Sequence, residues 1–208
     1  MANVFLYSLS DTWTTGGTAY DAIKMDVTDN ASAAGSDLLD LQVASSSKMR
    51  VRKDGAMFSA ASVYGQASRT TSGTIDIVSQ GAYVPTGLVF TLDSSINNGV
   101  TLGTTDKGAL KNTSGITRTF RVDASYDGQA GNNQVIGIKL AKNGTPVDQS
   151  ECRAFAASSG AIAKLHCFWF VELANNDEIS IYAANHTATD DIGLQRGRIQ
   201  IESIITAS

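Results

Sequence analysis

Apolar side chains in this sequence recur at every second position, and that period sets the fold class. Leu39, Leu41 and Val43 alternate with Asp40 and Gln42, and Met49 and Val51 alternate with Arg50 and Arg52. Phe120, Val122, Ala124 and Tyr126 share one parity, as do Ile136, Ile138 and Leu140. Alternation puts one set of side chains on one face of a strand, so each segment reads as a half-buried strand. The one helix-friendly run, residues 31–39, is short and interrupted by Gly35. The expected fold is all-β.

Punctuation by turn residues divides the chain into three regions. Residues 1–57 carry a β-hairpin or shaft-like region, turning at Ser45-Ser46-Ser47 and closed by Asp54-Gly55. A lone hairpin is marginal in water, so its apolar face needs something to lie against. Residues 58–85 thin out into Ala, Ser, Thr and Gly, with one convincing strand at 74–78, and read as a connector ended by Pro85. Residues 86–208 are denser, with strands expected at 88–92, 100–110, 117–126, 147–156, 162–173, 178–184 and 198–205. A further strand, holding Ile136 to Leu140, ends at Asn143-Gly144, a strong two-residue hairpin signal. About eight strands in roughly 120 residues imply an antiparallel β-sandwich of jelly-roll type.

One register can be derived. A two-residue loop centred on Ser159 and Gly160 sets Cys152 opposite Cys167, Ala154 opposite Leu165 and His166 opposite Arg153. Directly opposed Cβ atoms lie about 4.5–5.5 Å apart, within reach of a disulfide after adjustment. Two reduced thiols packed as small hydrophobes is the preferred reading. In Phe168-Trp169-Phe170-Val171, alternation sends Cys167, Trp169 and Val171 to one face and Phe168 and Phe170 to the other. Both faces are apolar, so a sandwich core covers one. A neighbouring copy covers the other, with Phe168 and Phe170 at a homotrimer interface; a carbohydrate-stacking platform is the alternative.

Composition narrows the function. The net charge of -4 argues against nonspecific binding to nucleic acid or anionic membranes. The 42% of hydrophobic residues is enough for a core, and no stretch is long and apolar enough to insert in a membrane. The N-terminus lacks the basic region of a secretory signal. Two Cys and two His leave little for a metal site, and no cofactor is expected. No catalytic residue is assigned. His166 and His186 are the available histidine bases, no Gly-x-Ser-x-Gly elbow accompanies them, and the carboxylates lie in turns or on polar strand faces.

Two resemblances add to this reading. Residues 18–55 resemble a segment of tailed-bacteriophage fibre proteins. The match is carried by Ala22-Ile23-Lys24, Val27-Thr28-Asp29, Ala31 to Ser36, Leu38 to Val43, Lys48, Val51 and Asp54-Gly55, with Trp13 and Thr18 upstream. It departs from that pattern at Asp37, Ser45-Ser46-Ser47 and Met49. Residues 86–208 are similar to the tumour-necrosis-factor and complement-head jelly roll that tips many phage fibres, above all at residues 171–185 and the Thr/Asp-rich run 187–191. The resemblance implies a trimeric virion structural protein, a short fibre of head or tail, assembled in the bacterial cytoplasm and displayed on the virion surface. Its N-terminal region would bind other capsid or tail proteins, and its knob host-surface polysaccharide. A capsid decoration (cement) protein is the alternative. Both ends of such a knob lie at its base, which places the loops at 127–133, 158–160 and 185–196 at the far end. Asp127, Asn132, Asn133, Ser159, Asn185, His186, Asp190 and Asp191 are the candidate receptor-facing residues. Of these, Asn132, Asn133, Asn185, His186, Asp190 and Asp191 could bond sugar hydroxyls or a calcium ion, or the loops could be solvated with no ligand.

Overall fold

Sixteen strands and one 3₁₀ turn (Asp148–Ser150) are found among the described residues, with no α-helix. The computed structural model describes Ile23, residues 27–59 and residues 62–204. Trp13, Thr18, Ala22 and Lys24, and the part of the anchoring region before Ile23, lie outside the described residues. The chain separates into two units, Met1–Ala60 and Ala61–Ser208.

In the first unit β1 (Asp37–Val43), β2 (Ser46–Arg52) and β3 (Met57–Ser59) form an antiparallel sheet in that order. Val43 pairs with Ser46, so the turn is Ala44-Ser45 and not the serine triplet. Both turn residues have positive φ, 49° and 60°, which is the two-residue hairpin geometry that matches strand twist. Lys53 donates to Asp29 Oδ2 at 2.7 Å and to the Ser32 carbonyl at 2.8 Å, tying the preceding loop to the end of β2. No residue between 27 and 57 is buried; Leu41, Val43 and Met57 are 50%, 63% and 70% exposed.

The second unit contains β4 (Tyr64–Arg69), β5 (Gly73–Ile75), β6 (Val84–Pro85), β7 (Thr91–Asn98), β8 (Val100–Leu102) and β9 (Leu110–Asn112). They are followed by β10 (Arg118–Gln129), β11 (Gln134–Lys142), β12 (Thr145–Pro146), β13 (Cys152–Ala156), β14 (Ile162–Leu173), β15 (Glu178–Asn185) and β16 (Ile192–Ser203). The first sheet has the order β14-β10-β16-β4-β7, with β5 on β16; the second has β12-β11-β15-β9-β8, with β13 on β11 and β6 on β15. All pairs are antiparallel. From β9 onward the chain alternates between sheets except for the run β11, β12 and β13, which all lie in the second sheet. Late strands therefore insert between early ones, β16 between β4 and β10, and β15 between β9 and β11. That strand order is a jelly roll. Phe120, Val122, Ala124, Ile136, Ile138, Leu140, Ile199 and Ile201 from the two inner faces fill the core between the sheets.

Several expectations are corrected. Residues 58–85 are not a connector: β4 lies between β16 and β7, and Val63, Ala67, Ile75 and Ile77 are in the core. Residues 100–110 form two strands, β8 and β9, joined by a loop. β13 and β14 are not a hairpin. β13 pairs with β11 and β14 with β10, so residues 157–161 carry the chain from one sheet to the other. Cys152 and Cys167 therefore sit in different sheets, both as free thiols. His166 faces Ser125 instead of Arg153, and Cys152 faces Ile138 instead of Cys167. β14 is an edge strand.

Candidate functional site

The two ends of the sandwich differ. At one, the Val63 N–H donates to Ser203 Oγ at 2.9 Å, the Ser203 N–H to the Val63 carbonyl at 2.7 Å and the Ile204 N–H to the Thr119 carbonyl at 2.9 Å. The chain thus enters and leaves the sandwich side by side. Asn112 braces this base, its amide donating to the carbonyls of Ile116, Leu173 and Ala174 at 3.0–3.1 Å. Asp177 accepts from the Ala174 N–H at 2.9 Å and pairs with Lys142 at 3.0 Å. The turns at 130–133, 157–161 and 187–191 occupy the opposite end.

The eight candidate loop residues divide by what their side chains touch. Asn132 Oδ1 accepts from the Ser159 N–H at 2.6 Å, joining two of the far-end turns. Ser159, Asp190 and Asp191 line one shallow depression of about 460 Å³ with Gln129 and Gly131. Asn133, exposed at φ 54°, turns the chain into β11. Asp127 is not in a loop; it belongs to β10, between Lys164 and Arg196. Asn185 is fully buried. Its amide donates to Gln134 Oε1 at 2.7 Å and to the Asp190 carbonyl at 3.0 Å, and its oxygen accepts from the Thr187 and Ala188 N–H groups. It shapes the loop from within and cannot face a receptor. Asp190 is bonded to the Gln134 amide, and Asp191 Oδ1 accepts from the Ile77 N–H at 3.1 Å. Among the described residues no three His, Cys, Asp or Glu side chains converge as metal ligands.

His186 is also not a loop-tip residue. It packs on the outer face of the second sheet in a cluster that the alternation pattern does not reveal. Tyr83 Oη donates to Glu151 Oε1 at 2.6 Å and lies 3.2 Å from His186 Nε2. Arg153 Nε donates to the same Glu151 oxygen at 2.6 Å, and Lys139 Nζ sits 4.3 Å from the Tyr83 ring centroid while pairing with Asp148 at 2.8 Å. Hydrogen bonds from the Gln80 amide to the His186 carbonyl and from the Gly81 N–H to the Asn185 carbonyl, both 2.8 Å, strap residues 79–83 over this sheet. Arg153 holds the Glu151 carboxyl below the usual range. Burial, then the Arg153 charge, holds His186 below the ordinary imidazole value, and burial with the Glu151 bond keeps Tyr83 protonated. The signal available in the sequence was Gly137, inside β11. A Cβ there would stand 2.6 Å from Tyr83 Oη and 2.9 Å from His186 Nε2, and glycine inside a strand marks such a close approach.

On the outer face of the first sheet, Phe168 and Phe170 are 52% and 51% exposed. Their rings meet edge to face at 6.4 Å, and the Arg121 guanidinium lies 5.9 Å from the Phe168 centroid. Arg121 pairs with Asp123 at 2.9 Å, and Asp123 with His166 at 2.9 Å. Farther across the sheet, Tyr64 on β4 and Ile96 on β7 line a groove of about 390 Å³ with Gln200 and Glu202 on β16. Trp169, on the opposite parity, is 36% exposed because β14 has no outer neighbour. The arrangement offers an exposed aromatic pair bordered by charge.

No protein-family model matches the chain, and no curated protein matches it. Similar solved structures include Eiger TNF from S. frugiperda, 16% identical with a TM-score of 0.45 over 71% of this chain and 94% of that one. The globular domain of zebrafish complement 1qA is 10% identical, with a TM-score of 0.43 over 70% and 98%. PRD1 vertex protein P5 is 11% identical, with a TM-score of 0.41 over 69% and 97%. The jelly-roll assignment stands on the strand order itself.

Proposed function

We propose that this chain is a bacteriophage virion structural protein, a homotrimeric short fibre of head or tail. Its N-terminal unit holds it to the particle, and its jelly-roll knob meets host-surface glycans. The observation that carries this reading is the absence of any buried residue between 27 and 57. With no buried residue between 27 and 57 and with Leu41, Val43 and Met57 open to water, this small sheet has no core of its own, which supports its being covered by other chains. The exposed Phe168–Phe170 pair supports the same reading in the second unit, where it supplies a trimer contact. The base-to-tip polarity of the sandwich suits a knob carried from one end. In this reading neither the tip depression nor the Tyr83 cluster is catalytic.

The test is the location of the protein in intact virions, together with adsorption. Three-fold density at head or tail, and a purified protein that labels host cells and blocks adsorption, are expected. Particles that fall apart without the protein, with adsorption intact, favour the decoration role instead.

A further inference from the structure

A second surface on the first sheet has the chemistry of an anion site. Near the far end of its outer face lies a groove of about 300 Å³ lined by Ser68, Thr70, Ser125, Asp127, Arg196 and Arg198. Asp127 stands in register between Lys164 on β14 and Arg196 on β16, while Ser125 stands beside Arg198. Lys164, Arg196 and Arg198 are exposed and make no ion pair or side-chain hydrogen bond among the described residues. Arg69, at the groove's side, is already spent on the carbonyls of Val89 and Ser72.

Strand geometry sets the spacing. Same-face neighbours along a strand are about 7 Å apart and adjacent strands about 4.8 Å. Arg196 and Arg198 therefore flank one position, with Lys164 about 10 Å across from Arg196. Asp127 is the one carboxylate in the groove, outweighed by Arg196 and Arg198 in its lining and Lys164 on the neighbouring strand, in a protein whose overall charge is -4. Guanidinium forks bind the paired oxygens of phosphate, sulfate or carboxylate, and serine and threonine hydroxyls beside them complete the shell.

We propose that this groove binds an oxyanion, carried as a phosphate, sulfate or carboxylate group on a glycan. The glycan source rests on the adsorption reading above; the anion chemistry does not. The test is binding of the full chain to immobilised dextran sulfate and to neutral dextran, with inorganic phosphate as competitor. Wild-type protein is expected to bind dextran sulfate only. R196Q/R198Q should weaken it about tenfold or more with unchanged thermal stability and mass, and K107Q, an exposed lysine outside the groove's lining, should not. Displacement by millimolar phosphate supports the site and assigns it to the free ion, whereas binding that phosphate does not displace supports the glycan source. Equal affinity for neutral dextran, or equal effects of R196Q/R198Q and K107Q, overturns the site. Charge-dependent binding without any host-cell labelling retains the groove and fails the adsorption reading; host labelling that survives R196Q/R198Q fails the groove as its receptor contact.

Discussion

Replacing Gly137 by alanine tests the strap over the second sheet at a single atom. The new Cβ meets Tyr83 Oη at 2.6 Å and His186 Nε2 at 2.9 Å, where ordinary contact begins near 3.4 Å. Both side chains must move by several tenths of an ångström. Tyr83 cannot do so freely, because it is held to Glu151 at 2.6 Å. Overpacking of this kind costs about 1–3 kcal/mol, and weakening a hydrogen bond to a charged group adds about 1 kcal/mol. Alanine returns about 0.5–1 kcal/mol through the smaller backbone entropy of the unfolded chain. The net expectation is about 2 kcal/mol of destabilisation, a fall in Tm of about 4–8 °C for a unit of this size. Thermal and urea unfolding of the full chain read it. Tyr83→Phe removes the clashing oxygen, so Gly137→Ala should cost less in that background than in wild type, a coupling that a double-mutant cycle isolates. A Gly137→Ala protein as stable as wild type, or purely additive costs, would refute the reasoning.

Acidification should cost stability in two stages. His186 has its pKa depressed below 6.5, first by burial and then by the Arg153 charge, so its contribution is full above that value and fades as the pH falls through the lowered one. His186→Gln should flatten this upper stage in urea titrations between about pH 7 and 5. Burial alone would raise Glu178, but bonds from the Thr104 and Thr105 N–H groups outweigh it and hold it below 4.5. Its contribution is therefore lost only in the more acid stage, and Glu178→Gln should remove part of that stage. Burial pushes the Cys167 thiol up to about 12. A thiol reagent at pH 8 should leave Cys167 unmodified in the native protein and reach both cysteines after unfolding, as peptide mapping would show.

The second unit was legible in the sequence where a strand's own pattern decides its fate. β14 spans 162–173 as the alternation implies, and Asn143-Gly144, at φ 49° and 81°, turns β11 into β12. Phe168 and Phe170 do share an exposed face. What alternation cannot reveal is which strand lies beside which. The Cys152–Cys167 register assumed that neighbours in sequence pair, whereas the jelly roll sends β13 and β14 to opposite sheets. β4 was invisible for a different reason. Gly65 and Ala67 hold its inner face, and a Cβ on Gly65 would stand 2.7 Å from Val100 Cβ. Close packing there demands small residues, so a buried strand reads as linker. At the tip, residue type misled: Asn185 and His186 are polar and follow a strand, yet one is sealed inside the loop and the other lies under the strap.

Association of three chains covers the exposed apolar faces in the proposed fibre, and sedimentation equilibrium of the full chain at micromolar and lower concentration tests it directly. Wild-type protein is expected to sediment at three times the 21.8 kDa chain mass, with Phe168→Ser/Phe170→Ser shifting the equilibrium toward smaller species while the sandwich still unfolds cooperatively. A stable, folded species of one chain mass at every concentration, indifferent to those two substitutions, would contradict it.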